Sequence, residues 1–288
     1  MHVSVLGFGG SEIGFQQVAP DTVTRLLDDA LDAGLNVIDT AECYEESEAL
    51  IGQAVSGRRR DFHLFTKCGH FEGNGRPDWR PESLLRSIER SLQRLRTDHV
   101  DLMQLHSCSE DDLRRGDVIA ALERARERGW TRYIGYSGDG AAARYAIECG
   151  RFDTLQTSLS IADQEPLDLT LPLARARGVG VIVKRPIANA AWRTGRAPER
   201  AYHQPYWERL QRLEYGFLRS GLAESVATAL RFTLSAPGVH TAIVGTTQPG
   251  RWRENAARVA AGPLEPAAID AIRARWRSVA DATWVGLT

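Results

Sequence analysis

A closed (β/α)8 barrel of the TIM type is the fold this sequence predicts, with long loops after strands 3 and 7 at the C-terminal face. Three observations point to it. Eight short β-rich runs recur along the 288 residues, each followed by a helical pattern. The runs are largely apolar and β-branched, as strands become when both faces are covered. No break in composition divides the chain, and a barrel of this type needs about 250 residues. The expected organisation is therefore one domain over residues 1–288.

The elements follow in order. VSVLGF is the first strand and runs into GFGG at residues 7–10. SEIGF comes next and does not open a convincing helix. The GxGxxG turn of an open doubly wound sheet is missing, which leaves that architecture as runner-up. In DTVTRLLDDALDAG, residues Val23, Leu26, Leu27, Ala30 and Leu31 share one face, Pro20 precedes an acidic start, and Gly34 terminates the helix. LNVID and FHLFTK supply strands 2 and 3, and the long connection HFEGNGRPDW follows. PESLLRSIERSLQRLR places Leu84, Leu85, Ile88, Leu92 and Leu95 at helical spacing. VDLMQLH is strand 4, and GDVIAALERARERG closes its helix at a glycine. RYIGYS, DTLQTS and VGVIVK are strands 5 to 7, and a second long connection runs from Pro186 to Gly221. LAESVATALRFTLSAPG is the helix before the eighth strand, HTAIVG. Both long connections leave C-terminal strand ends, where such a barrel carries its active site.

Composition narrows the function. With 36 basic against 37 acidic residues there is no electrostatic case for nucleic acid or anionic lipid. No apolar stretch approaches the ~20 residues that span a bilayer. MHVSVLGFGG lacks the basic start, long apolar core and cleavage site of a secretory signal, so a cytoplasmic protein is expected. Cys43, Cys68, Cys108 and Cys149 show no CxxC spacing, which suits a reduced compartment and gives no metal motif. No coiled-coil heptad or exposed apolar stripe is evident, so a monomer is the default.

Chemistry concentrates at three successive strand ends. Asp39 and Tyr44 lie in LNVIDTAECY, Lys67 ends HLFTK, and His106 ends DLMQLH. Free tyrosine titrates near ~10 and lysine near ~10.4, so neither suits proton transfer at neutral pH unaided. A cation beside the phenol lowers its pKa, and a carboxylate holds that cation in place. The expected assembly is Asp39 pairing Lys67, Lys67 near Tyr44, and His106 orienting whatever Tyr44 protonates. Each residue alone has a structural use: a turn-forming aspartate, a loop tyrosine, a snorkelling lysine, a satisfied histidine. The ordered set of four leaves that explanation little room.

This set, with LGFGG, NVIDTAECYEESEALIG, LFTKCG, DLMQLH, IGYSG, LQTSLSIAD and AIVGTTQPGRWREN, closely resembles the aldo-keto reductase family over nearly the whole chain. The resemblance implies reversible reduction of an aldehyde or ketone by NAD(P)H, without a metal. Tyr44 is then the proton donor, tuned by Lys67 and Asp39, and His106 hydrogen-bonds the carbonyl oxygen. It also implies cofactor contacts. Ser137 and Gln156 match positions that grip the nicotinamide carboxamide, but the partner asparagine is Gly138. Lys184 stands where an aromatic residue often stacks on the nicotinamide. Gly245 and Thr246 match the phosphate loop, with the following helix N-terminus favouring an anion. Arg251 matches a clasp for the adenosine 2′-phosphate, and Glu254 and Asn255 meet the adenine, so NADPH is expected over NADH. Family members often carry a β-hairpin under the barrel, and HVSV is the stretch here to supply part of it.

Substrate choice is expected from the loops around residues 70–80 and 187–215, which offer Phe71, Trp79, Trp192, Tyr202, Tyr206 and Trp207. Several of these are expected to pack the loop helix YHQPYWERLQRLEYG. The partner is a small-molecule carbonyl compound. The competing reading, kept alive by Gly138 and Lys184, is a cofactor-binding regulatory or redox-sensor barrel with little turnover.

Overall fold

The structure, a computed structural model, describes residues 1–70 and 76–287. Eight parallel strands close on themselves in chain order: β1 (Leu6–Gly9), β2 (Val37–Asp39), β3 (His63–Cys68), β4 (Val100–His106), β5 (Thr131–Ser137), β6 (Thr154–Ser158), β7 (Gly180–Lys184) and β8 (Thr241–Gly245). Every expected strand is present. Closure is made by β1 against β8, with Gly9 opposite Gly245. Both faces of the sheet are covered, so the strands are buried almost throughout. Inside the barrel, Val37, Phe65, Leu102 and Ile182 form a separate apolar cluster. Outside it, the buried faces of Pro20–Asp32, Pro81–Leu95, Asp117–Glu127 and Leu222–Leu234 build the main core.

Two details differ from the sequence-based expectation. Strand 1 begins at Leu6 rather than within VSV. The Ser4 N–H donates to Asn36 Oδ1 at 2.6 Å, so an asparagine side chain takes the place of a ladder bond. Residues 1–5 form no strand, and Val3 packs on the apolar cluster inside the barrel. Secondly, SEIGF does form a helix, Ser11–Phe15. Five residues are too few to show helical periodicity, and packing sets this turn: a Cβ on Gly14 would lie 1.9 Å from the Tyr44 carbonyl.

Contacts between elements hold the strand ends in register. Gly52, in the helix Ser47–Val55, lets it ride on the helix Pro81–Leu95, since a Cβ there would lie 2.2 Å from the Arg94 carbonyl. Asp101 near the start of β4 accepts from the Leu64 N–H of β3 at 2.9 Å, from Arg59 at 2.7 Å and from Arg132 of β5 at 3.2 Å. Among the described residues no helix is long and apolar enough to cross a membrane.

Candidate active site

The chain leaving β2 sets Tyr44. Beyond Asp39 it continues along β3, with Thr40 N–H donating to Phe65 O at 2.9 Å and Glu42 N–H to Lys67 O at 3.2 Å. Buried Glu42 then accepts from Ser87 and Arg90 of the helix Pro81–Leu95, which anchors the turn. Thr40 Oγ1 and Ser47 Oγ lie 2.9 Å apart, and Ser47 donates to Gly10 O at 2.7 Å. The motif DTAECYEES is thus a set of internal clamps as well as a source of reactive groups.

The four strand-end residues come together at the C-terminal mouth. Lys67 Nζ donates to Asp39 Oδ1 at 2.5 Å and to Thr40 O at 2.8 Å, and lies 5.1 Å from the centre of the Tyr44 ring. The Tyr44 and His106 rings meet edge-on at 5.8 Å. Burial works against the charge on Lys67, but Asp39 and its neighbours outweigh it and raise the pKa, so the lysine is a firm cation. His106 goes the other way: burial, with Lys67 and further cations, holds it well below the usual histidine range, so it is neutral.

The expected lowering of the Tyr44 pKa is not found. Burial pushes it up to about 12, and Lys67 offsets only part of that. The physical reason is desolvation of the phenolate by the residues packed around it, which spacing along a sequence does not reveal.

Ser137 and Gln156 are buried and joined to the same centre. Ser137 Oγ donates to Gln156 Oε1 at 3.0 Å, and Gln156 Nε2 donates to Asp39 Oδ2 at 2.8 Å. Gln104 reaches the same oxygen at 3.3 Å. Gln156 is therefore part of the shell that orients Asp39. At Gly138 a Cβ would lie 2.4 Å from the Tyr136 hydroxyl, which donates to Cys108 O, so a side chain does not fit without displacement.

Lys184 is paired with a residue that sequence reasoning missed. Its Nζ lies 3.0 Å from Asp139 Oδ2, and Asp139 also receives Thr157 Oγ1 at 2.8 Å and the Ser158 N–H at 2.7 Å. Burial lowers Lys184 to about 8 against the pull of Asp139. Arg185 follows in the left-handed region at φ 57°, donates to Ser158 Oγ at 2.6 Å, and bonds the Tyr202 hydroxyl. Two cations thus share one carboxylate. Asp139 and Arg185 were legible only as the polar residues next to two strand ends.

At β8, Gly245 faces a narrow seam: a Cβ there would lie 3.1 Å from Gly9 O and 3.3 Å from the Glu12 carboxyl carbon. Thr246 Oγ1 accepts from Gln248 N–H at 3.1 Å, and Gly250 (φ 81°) opens the helix Arg251–Val259. A glycine seam beside a helix N-terminus fits a phosphate-bearing dinucleotide, because backbone N–H groups can be approached closely. Arg251 is already engaged, with Glu254 and Gln248 each at 2.7 Å. Asn255 is buried and accepts from Arg258 at 2.8 Å, so it does not stand with Arg251 and Glu254 on the exposed first turn.

Of the aromatic residues expected at the substrate pocket, Trp192 and Tyr206 are core residues, bonded to Ser225 Oγ and Asp163. Trp207 packs partly against the core, while Tyr202 is exposed and Trp79 meets His70 edge-on. Phe71 lies outside the described residues. His70 in turn lies against His106, ring centres 5.2 Å apart.

A closed parallel barrel with an ion-paired lysine, a phenol and a neutral imidazole at its mouth defines a class of oxidoreductase barrels. The family model described as the aldo/keto reductase family matches residues 5–277, and the chain belongs to that family. It is 29% identical to L-galactose dehydrogenase of Arabidopsis thaliana, over 90% of this chain and 85% of that protein. It is 30% identical to the NADH-specific methylglyoxal reductase of Escherichia coli, over 60% of this chain and 57% of that protein. The holo form of the aldo-keto reductase AKR11C1 from Bacillus halodurans superposes with a TM-score of 0.84 at 28% identity, covering 99% of this chain and 96% of that one. The protein is an oxidoreductase of this family.

Proposed function

We propose that this barrel, acting as a single domain, reduces a small aldehyde or ketone to the alcohol with NADPH, and that Tyr44 is the proton donor. The observation that carries the reading is the convergence of Asp39, Tyr44, Lys67 and His106 on one mouth, with Lys67 Nζ 5.1 Å from the Tyr44 ring centre. When bound, the dinucleotide supplies the hydride to the carbonyl carbon. The oxygen then becomes an alkoxide, and the Tyr44 hydroxyl gives it a proton. Because burial holds Tyr44 near about 12, the acid form is fully present at neutral pH. The contribution of Lys67 comes as the proton leaves, when its ammonium stabilises the forming phenolate; that interaction is stronger in the transition state than before it. Asp39 keeps Lys67 charged and directed, and neutral His106 donates to the carbonyl oxygen.

The remaining contacts follow the same plan. Ser137 and Gln156 line the nicotinamide end, with Lys184 beside them. Lys184 and Arg185 against one Asp139 leave an excess positive charge there, which disfavours the oxidised, cationic nicotinamide and favours reduction. Gly245, Thr246 and the helix N-terminus hold phosphate, Arg251 takes the 2′-phosphate, and Glu254 borders the adenine, while buried Asn255 is left to hold Arg258. Relatives named for a sugar and for methylglyoxal suit a small, oxygen-rich substrate.

Tyr44→Phe tests the reading: kcat falls at least ~100-fold with NADPH affinity retained. Undiminished turnover in that variant sinks the mechanism. The NADH-specific relative makes cofactor choice a separate measurement. An NADH preference beyond about tenfold, ~1.4 kcal/mol, contradicts the role of Arg251.

A further inference from the structure

We propose that the Cys43 thiol is a positioning residue for His106: by donating to Nδ1 it holds the neutral imidazole in the tautomer that carries its proton on Nε2. That tautomer is the one able to donate to a carbonyl oxygen from Nε2, so the proposal rests on the reading above.

The geometry is specific. Cys43 Sγ lies 3.4 Å from His106 Nδ1, within hydrogen-bonding range for sulfur, and among the described residues it is the ring's hydrogen-bond partner. Tyr44 packs edge-on against the imidazole at 5.8 Å and His70 tilts against it at 5.2 Å. Such packing holds the ring plane but does not distinguish the two tautomers. A hydrogen bond at one nitrogen does. Cys43 also precedes Tyr44, so the turn clamped by Glu42 and Ser47 sets the thiol and the phenol together.

The protonation states agree. Burial pushes the Cys43 thiol up to about 11, so at neutral pH it keeps the proton it donates. His106 is held neutral, chiefly by burial, so one of its ring nitrogens is an acceptor, and a thiol proton directed at Nδ1 selects that nitrogen. No bond is made or broken and no oxidant is needed. The thiol acts by hydrogen bonding alone, and serine can take over that part.

The test uses the full chain labelled with ¹⁵N-histidine, the His106 signals being assigned by their loss in His106→Gln. Wild type and Cys43→Ser are expected to show the proton on Nε2. Cys43→Ala is expected to shift toward a mixture of tautomers, with kcat lowered about tenfold as one hydrogen bond is lost. Its NADPH dissociation constant stays as in wild type, and Cys43→Ser recovers most of the rate. A wild-type imidazole protonated on Nδ1 overturns the proposal. So does a Cys43→Ala protein that keeps both the tautomer and the rate. Should the alanine variant not fold, the wild-type and serine nitrogen shifts still decide. Should wild type reduce no carbonyl compound, the reading above fails while the tautomer result still stands or falls independently.

Discussion

At the scale of single residues, what governs the site is the balance between burial and neighbouring charge. Tyr44 is pushed up to about 12 although a lysine lies over its ring. With Tyr44 as the proposed proton donor, this separates the two directions of the reaction. Reduction needs the phenol, which is present throughout the neutral range, so kcat for reduction is expected to stay level in its Tyr44 dependence from about pH 6 to 9. Oxidation of the alcohol needs the phenolate, whose population rises about tenfold per pH unit below the folded pKa. Steady-state rates in both directions over that range check it, and an oxidation rate that fails to rise with pH counts against Tyr44, since loss of the Lys184 charge near pH 8 can by itself slow reduction. The identities Asp39, Tyr44, Lys67 and His106 were legible in the sequence because each ends a strand or follows one. Gln104 and Asp139 were legible only as polar residues, and Gln156 only as a nicotinamide contact implied by the resemblance, since which of them turns toward Asp39 or Lys184 depends on strands far apart in the chain.

At the scale of elements, a single carboxylate ties three strands and the 3-10 turn Ser56–Asp61 together. Burial opposes the charge of Asp101, but His63, the Leu64 N–H and Arg59 hold its carboxyl well below the usual range. A depressed folded pKa contributes stability that is present above the unfolded value of ~3.9 and is lost as pH falls through the folded one. Asp101→Asn is expected to cost about 2 kcal/mol at pH 7, the scale of charge-assisted hydrogen bonds. Urea unfolding measures it, and the gap to wild type should shrink as the pH drops below about 4. A gap that does not change with pH assigns the cost to packing instead. The helices Pro20–Asp32, Pro81–Leu95, Asp117–Glu127 and Leu222–Leu234 were readable from their apolar stripes, whereas SEIGF was not: its five residues are held by Gly14 packing under the Tyr44 carbonyl.

At the scale of the whole molecule, the closing of β1 on β8 brings the glycine seam at Gly9 and Gly245 into the same mouth as Tyr44. A dinucleotide seated there touches both ends of the chain and stabilises the closed barrel. At a hundredfold excess over its dissociation constant, NADPH is expected to add ~2.7 kcal/mol. That corresponds to a rise in Tm of roughly 5 °C, read by thermal denaturation. An unchanged Tm under those conditions argues against the seam as the cofactor site. By itself the sequence determined the barrel, the four strand-end residues and the family resemblance, because strand periodicity and strand-end chemistry are local properties. Only the tertiary structure decided that Tyr44 is a weaker acid than a free tyrosine, that Gln156 serves Asp39, that Lys184 answers to Asp139 and that Cys43 meets His106. Those depend on distances across the barrel and on exclusion of water, and neither exists until the chain has closed.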